Sequence, residues 1–455
     1  MLFSQKYKKE KFEEIQLTVN KDSRSIKIGL MSPFGLGNLG DAAIQQAMIQ
    51  NIRKYYPNAE IYGFSLNPKD TEESYGISAF PMCNSATDQS WLMGNGNNSV
   101  VRFMCQVITW INAIPNSRFR KLAILLFRVP LQGMLEPLAL IRAYRRVRSL
   151  DLFIVSGGGQ LDDYWGGAWQ NPYALMMWAI LTKLSLAKFA IVSVGAAPIN
   201  AFLSRVFIKI SLYLADYRSY RDKDSKLYIE NVVGFYRNDL IYPDLAHSLD
   251  VTNYKRELAS PQVRQIIGIG PMPYFDPRIW PENSIDIYWS YLKKLSEFVT
   301  WLINKNYDIL FIPGEINQDK TAIEDLKGLL QESHVLALES RLFEENISTV
   351  DQLMTQLKNT DMVVASRFHG VLLAQLLNKP VLALSYHRKI DALMANMGHE
   401  TYCLSIDNFN VKDLKEKFSL LETEYDQAKR QLEQKTSEYR ALLNKQYEDL
   451  FKELY

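Results

Sequence analysis

"PFGLGNLGDAAIQQAM", residues Pro33 to Met48, follows the short apolar run Ile26 to Met31 and opens a helical pattern. Strand, glycine loop and helix in this order form the first turn of a doubly wound α/β domain. Gly35, Gly37 and Gly40 spell G-x-G-x-x-G, the pattern of a dinucleotide-binding loop. Two features argue against that ligand. A dinucleotide loop is followed about 20 residues on by an acid that ends the second strand and holds the ribose. Here Glu60 begins the run Ile61–Phe64, and Ser65-Leu-Asn67 ends it. Asp41 directly follows the third glycine, where a carboxylate caps the helix amides itself and repels a pyrophosphate. The loop therefore offers Asn38, Gly40 and Asp41 to a ligand rich in hydroxyls, with a plain capping role for Asp41 as the competing reading.

The same alternation continues outward. Glu60–Ser65, Leu152–Ser156, Ala190–Val194 and Arg218–Tyr220 read as further buried strands, separated by helices such as Asp41–Tyr55 and Pro172–Leu186. After Pro243 to Pro261 it restarts with Ile266–Ile269, Ile309–Ile312, Val335–Leu338, Met362–Ala365 and Val381–Ser385. Helices are expected at Asp286–Asn304, Lys320–Gln331, Thr349–Lys358 and Gly370–Leu377. The expected fold is α/β: two Rossmann-like doubly wound domains, residues 24–245 and 262–410, facing a cleft. The tail, residues 411–455, reads as a charged amphipathic helix docked on the body through Leu414, Phe418, Leu421, Tyr425, Ala428 and Leu432.

Composition limits the function. A chain of 455 residues with 47% apolar content can bury two cores. Its 52 basic and 50 acidic residues leave a net charge of +2, which excludes a nucleic-acid partner bound by bulk attraction. Cys83, Cys105 and Cys403 are scattered and lack metal spacing, as expected of reduced thiols in a cytoplasmic protein. The charged N-terminus has no apolar core of an export signal, and no run is long and apolar enough to span a bilayer.

Two further stretches carry chemistry. In "FIVSGGGQLDDYWGG", Phe153 to Gly167, a strand runs into Gly157, Gly158 and Gly159 and then into Asp162, Asp163, Tyr164 and Trp165. Glycines let a ligand lie on the backbone at a strand's carboxyl end, while acids and aromatic faces together suit a sugar. In "MVVASRFHGVLLAQLLNKPVLALSYHRKI" the strand Met362–Ala365 turns through Ser366-Arg367-Phe368-His369-Gly370 into an apolar helix. Arg367 and His369 thus stand at a helix N-terminus, where amides and dipole already favour an anion. A guanidinium adds a two-pronged grip on carboxylate or phosphate, and an imidazole can carry a proton near neutral pH. The other histidines, His247, His334, His387 and His399, are too dispersed for a metal site.

Asn38-Leu-Gly40-Asp41, the Gly157–Gly159 run, "SYRDKDS" (Ser219 to Ser225) and Ser366-Arg367-Phe368-His369-Gly370 resemble, in order and spacing, the polysaccharide pyruvyl transferase family. "LSYHRKI", Leu384 to Ile390, resembles that family's following segment, with Tyr386 and Lys389 as its tyrosine and lysine. The likeness spans Ile26 to Gly398 and is most specific at Ser366–Gly370. It implies two Rossmann-like domains in the GT-B glycosyltransferase arrangement. It also implies transfer of pyruvate from phosphoenolpyruvate onto two sugar hydroxyls of a polysaccharide or lipid-linked glycan. Basic residues matching Arg221, Arg367 and His369 would hold the phosphoenolpyruvate.

The residues suit that chemistry. Phosphoenolpyruvate carries a carboxylate and a phosphate, for which Arg367 and Arg221 supply separate cations. His369 is the candidate proton carrier, and Asp41 or one of Asp162 and Asp163 the candidate base. Asn38, Gly40, Gly158, Gly159, Phe368 and Lys389 complete the candidate binding set. No step demands a metal or a cofactor. Two other readings stay open: a nucleotide-sugar glycosyltransferase and a non-catalytic glycan-binding protein on the same fold. Residues 102–150 depart from the family pattern as a helical insert. Nine basic residues there (Arg102, Arg118, Arg120, Lys121, Arg128, Arg142, Arg145, Arg146 and Arg148) face the single acid Glu136. Interleaved apolar residues make peripheral contact with an anionic membrane an expectation for this insert, against a plain packed helix.

Overall fold

The computed structural model of the chain describes residues 25–32, 35, 37–82, 110, 129–164, 166–254, 264–280, 282–332 and 339–453. The chain divides into two compact units. Met1–Gly35, Met48–Asp244 and Tyr447–Tyr455 form the first; Leu36–Ala47 and Leu245–Gln446 form the second.

The first unit is built on β1 (Lys27–Met31), β2 (Glu60–Ser65), β3 (Ser78–Pro81), β4 (Leu152–Ser156), β5 (Lys188–Val194), β6 (Tyr217–Tyr220) and β7 (Leu240–Ile241). All pair in parallel, in the order β3-β2-β1-β4-β5-β6-β7. In chain order its helices are α1 (Leu39–Tyr55, shared with the second unit), α2 (Pro68–Tyr75), α3 (Val129–Val147), α4 (Asn171–Leu184), α5 (Phe202–Leu214) and α6 (Lys223–Tyr228). A parallel strand covered on both faces must be apolar throughout, and β4, Leu-Phe-Ile-Val-Ser, is buried at all five positions. Phe64, Phe153 and Trp178 pack ring against ring at 4.7 to 5.7 Å to form the centre of this core.

The second unit holds β8 (Ile266–Gly270), β9 (Asp308–Phe311), β10 (Leu342–Glu344), β11 (Met362–Ala365), β12 (Val381–Ser385) and β13 (Cys403–Ser405), ordered β10-β9-β8-β11-β12-β13 and parallel. Between them run α7 (Ile285–Asn304), α8 (Ile316–Glu332), α9 (Val350–Asn359), α10 (Phe368–Leu376) and α11 (Arg388–Asn396). The strand order reverses between β1 and β4 in one sheet and between β8 and β11 in the other. Open α/β sheets bind ligands outside the carboxyl ends of strands at such points. The segments following β1, β4 and β11 are the three glycine- or arginine-bearing stretches singled out in the sequence.

Several expectations need correction. The strand expected at Val335–Leu338 lies outside the described residues; β10 stands at the described edge of the sheet. The short strands β3, β7 and β13 were not expected. The tail is two helices, α12 (Val411–Thr423) and α13 (Tyr425–Glu453), not one. Its Leu414, Phe418, Leu421, Ala428 and Leu432 are fully buried, as docking on the body requires. Of the insert, α3 is described. Arg102, Arg118, Arg120, Lys121 and Arg128 lie outside the described residues.

Candidate functional site

In the second unit, β11 ends at Ala365 and the chain turns through Ser366 and Arg367, the extended N-cap of α10. The Arg367 side chain grips Asp319 in α8: Nε donates to Oδ1 at 3.0 Å and Nη2 to the same oxygen at 2.6 Å. Nη2 also donates to Gln318 Oε1 at 3.2 Å. Asp319 is wholly buried and accepts the amides of Gly314 and Glu315 at 2.9 Å each. Burial works against the Arg367 charge, but the facing Asp319 carboxylate overrides it and holds the guanidinium above its ordinary pKa. Among the described residues Nη1 receives no hydrogen-bond partner. Arg367 is thus fixed through two of its three guanidinium nitrogens. A small cavity beside it is lined by Gly270, Gly314, Ala365 and Gly370 at the carboxyl ends of β8, β9 and β11.

The start of α1 belongs to this unit too. Leu39 N donates to Gly314 O at 3.2 Å and Ile316 N to Gly37 O at 3.0 Å. The close approach explains two glycines. A Cβ on Gly40 would stand 1.9 Å from His369 Nδ1, and one on Gly37, at φ +85°, would stand 2.8 Å from Glu315 and Asn317. The His369 imidazole therefore lies directly on the first turn of α1. Asn38 is the cap of that turn: its Oδ1 accepts Gly40 N at 3.0 Å and Asp41 N at 3.4 Å. Its Nδ2 donates to Asp41 Oδ2 at 2.8 Å. The capping role weighed for Asp41 falls to Asn38, and Asp41 is held by it. Lys389, in α11, places Nζ 5.7 Å above the Phe368 ring and 6.0 Å above that of Tyr386. His387 caps α11, its Nδ1 accepting Lys389 N at 3.2 Å. Asn38, Gly40, Asp41, Arg367, Phe368, His369 and Lys389 are thus gathered in one unit.

The remaining candidates lie in the first unit. After β4, Gly157 and Gly158 take φ +51° and +66°, and Gly158 O accepts Gly195 N at 2.7 Å. The Arg221 guanidinium lies on Gly195, where a Cβ would meet Nη2 at 2.6 Å. Arg221 Nη1 donates to Asp244 at 3.3 Å and Nε to Asp222 at 3.4 Å. Arg221 and the Gly157–Gly159 run are therefore neighbours. Gly159 has a Cβ position 3.6 Å from Asp162 Oδ2, and Asp162 Oδ1 accepts Tyr164 N at 3.2 Å. Asp163 has a different task. It is buried and accepts the amides of Asn200 and Ala201 and the Ser204 hydroxyl at 2.8 to 3.0 Å, fixing the chain where it enters α5. Trp165 lies outside the described residues.

Asp319, Gln318, Asp244 and Gly195 were not singled out in the sequence. Gly314 at a strand end was the signal nearest to Asp319. Among the described residues no three or more His, Cys, Asp or Glu side chains are placed to hold a metal ion, and no helix is long and apolar enough to cross a membrane.

The family model for polysaccharide pyruvyl transferase matches residues 38–388, most of the chain. No curated protein sequence matches it. Among solved structures, the chain is similar to a glycosyltransferase from Rickettsia africae ESF-5, at 12% identity and TM-score 0.52, over 95% of this chain and 99% of that one. It is also similar to UDP-GlcNAc 2-epimerase from Neisseria meningitidis bound to UDP-GlcNAc, at 10% identity and TM-score 0.51, over 90% and 94% of the two chains. S. aureus MnaA with UDP is 11% identical with TM-score 0.50, over 90% of each. At such identities the likeness is one of fold, a GT-B-like pairing of parallel-sheet α/β domains.

Proposed function

The chain belongs to the polysaccharide pyruvyl transferase family, and from this we propose that it moves the pyruvyl group of phosphoenolpyruvate onto two hydroxyls of one sugar in a polysaccharide or lipid-linked glycan, closing a cyclic ketal. The observation that carries this reading is Arg367, anchored by Asp319 through Nε and Nη2 at the N-terminus of α10, with Nη1 making no hydrogen bond among the described residues. A fixed guanidinium beside helix amides suits a small, highly charged anion. Lys389, in the first turn of α11 with Nζ 5.7 Å above the Phe368 ring, adds a second cation, and Arg221, on the Gly158–Gly195 backbone of the first unit, remains a candidate anion-binding residue.

In the reaction, the methylene carbon of the enol takes a proton and becomes a methyl group, leaving C2 cation-like. One sugar hydroxyl adds to C2, and the C2–O bond to phosphate breaks. The second hydroxyl then adds, so one hydroxyl proton replaces that delivered to carbon and the other leaves on phosphate. His369 is the proposed proton donor to carbon, since its imidazole sits beside the arginine turn. Asp41, next to the glycine on which that imidazole lies, is the favoured base; Asp162 is the alternative.

Incubation with phosphoenolpyruvate labelled in the pyruvyl carbons and a panel of glycan acceptors should give acid-labile label in the glycan and one phosphate per pyruvyl transferred. Arg367→Ala should raise the phosphoenolpyruvate KM or abolish turnover, consistent with about 2–5 kcal/mol for a lost buried charge partner. His369→Ala should lower kcat by about 10²–10⁴-fold. Transfer from a nucleotide sugar with no use of phosphoenolpyruvate would overturn the reading. Near-normal turnover in His369→Ala would remove His369 from the mechanism.

A further inference from the structure

Helices α3, α4 and α5 of the first unit pack side by side, α3 against α4 and α4 against α5. One side of α4, with Leu175, Trp178, Ala179 and Thr182, is buried in the core. Its opposite side repeats at helical spacing through Tyr173, Met176, Ile180 and Leu184, and Leu184 is 64% exposed. The solvent side of α5 does the same through Leu203, Val206, Ile210 and Tyr213, preceded by Phe202 at 75% exposure. Leu186, in the turn after α4, has φ +63° and is 93% exposed. A leucine in a conformation that favours glycine, with its side chain in water, gives the fold nothing. Tyr173 and Tyr213 also pack on Phe207 and Phe235, but folding does not explain the exposed Ile180, Leu184, Leu186, Phe202 and Leu203.

The charges on the same face have one sign. Neither α4 nor α5 contains an acid, and their outward charges are Lys183, Arg205 and Lys209. On α3, Arg142 and Arg145 stand exposed beside Ile141 and Tyr144, and Arg148 follows in the turn after it. The acids nearest in sequence are engaged: Glu136 accepts the Tyr173 hydroxyl at 2.5 Å, and Asp216 pairs with Lys183 at 2.8 Å.

We propose that this face is a docking surface for an anionic lipid bilayer. Apolar stripes enter the headgroup boundary while arginine and lysine meet lipid phosphates, the combination that binds helices flat on a membrane. Charge complementarity selects this occupant. A second copy of the chain, paired face to face, would set arginine against arginine. The membrane contact thereby moves from the insert as a whole to α3, α4 and α5.

The test uses the full chain in sedimentation with vesicles of phosphatidylcholine alone, or with about one third phosphatidylglycerol, at low and high salt. The expected result is pelleting with the anionic vesicles at low salt only. A variant with Leu184→Ser, Leu203→Ser, Arg205→Gln and Lys209→Gln should bind at least on the order of 30-fold more weakly, the loss of two cations alone accounting for that factor. Its activity on a soluble acceptor should match the parent, which separates a docking defect from misfolding. No pelleting of the parent at low salt would overturn the proposal. So would a variant that pellets like the parent, or a solution dimer of the parent that the variant disperses.

Discussion

Asp162 and Asp163 are adjacent in sequence and differ in what their carboxylates touch. Burial alone would raise the Asp163 pKa, but the amides of Asn200 and Ala201 and the Ser204 hydroxyl outweigh it and hold the group below its ordinary value. A depressed folded pKa means that the carboxylate's stabilisation is complete above the unfolded value and is lost as pH falls through the folded one. Asp163→Ala should therefore cost about 1–3 kcal/mol at pH 7, the usual loss when buried donors lose their acceptor. The gap to the parent should shrink below about pH 4. Melting curves from pH 7 to pH 3 check this, and a gap independent of pH would refute it. At this scale the sequence was legible where a residue's neighbours in the chain define its setting. Arg367 and His369 could be placed because strand, turn and helix follow in ten residues. Asp319 could not: an acid in the first turn of α8 is ordinary on dipole grounds, and its arginine lies 48 residues away.

Elements were read through their apolar runs, which is why the buried strands β2, β4, β11 and β12 fell at the expected residues. Edge strands β3, β7 and β13, of two to four residues, carry too few side chains for any period to show. The glycines of the first loop were legible as a loop but not in purpose. Gly37 and Gly40 make room for Glu315, Asn317 and His369. Helix propensity alone favours Gly40→Ala, since alanine is better by up to about 1 kcal/mol in a helix interior. The contact with His369 Nδ1 predicts the opposite for function. Gly40→Ala should lower the melting temperature by several degrees, because the His369 Cβ 2.6 Å from the added methyl must move too, and kcat should fall toward that of His369→Ala. The double variant should be no worse than His369→Ala alone, because both changes act on one imidazole. Additive losses in the kcat of the three enzymes would show that Gly40 acts some other way.

For the whole molecule, composition and the restart of alternation after Pro243 were enough to expect two sheets. Which short segments belong with which sheet was not readable, because it depends on contacts between residues hundreds of positions apart. Phe451, near the end of α13, packs on Tyr55 and Tyr56 at 5.1 and 5.2 Å. It is 5% exposed, and Phe451→Ala should cost about 3–5 kcal/mol, read as an earlier urea midpoint. An unchanged midpoint would mean that the last turns of α13 are not part of the first unit's core. The chain passes between the units at Gly35/Leu36, Ala47/Met48, Asp244/Leu245 and Gln446/Tyr447. The segment Leu36–Ala47 lies early in the sequence yet carries the glycine on which His369 rests. The unit that holds Arg367 and His369 is therefore not a cassette. A hybrid of two relatives spliced only near residue 245 would inherit one parent's imidazole and the other parent's seat for it. Recombination that preserves activity must exchange residues 36–47 together with 245–446, two distant stretches of the gene that selection is bound to treat as one.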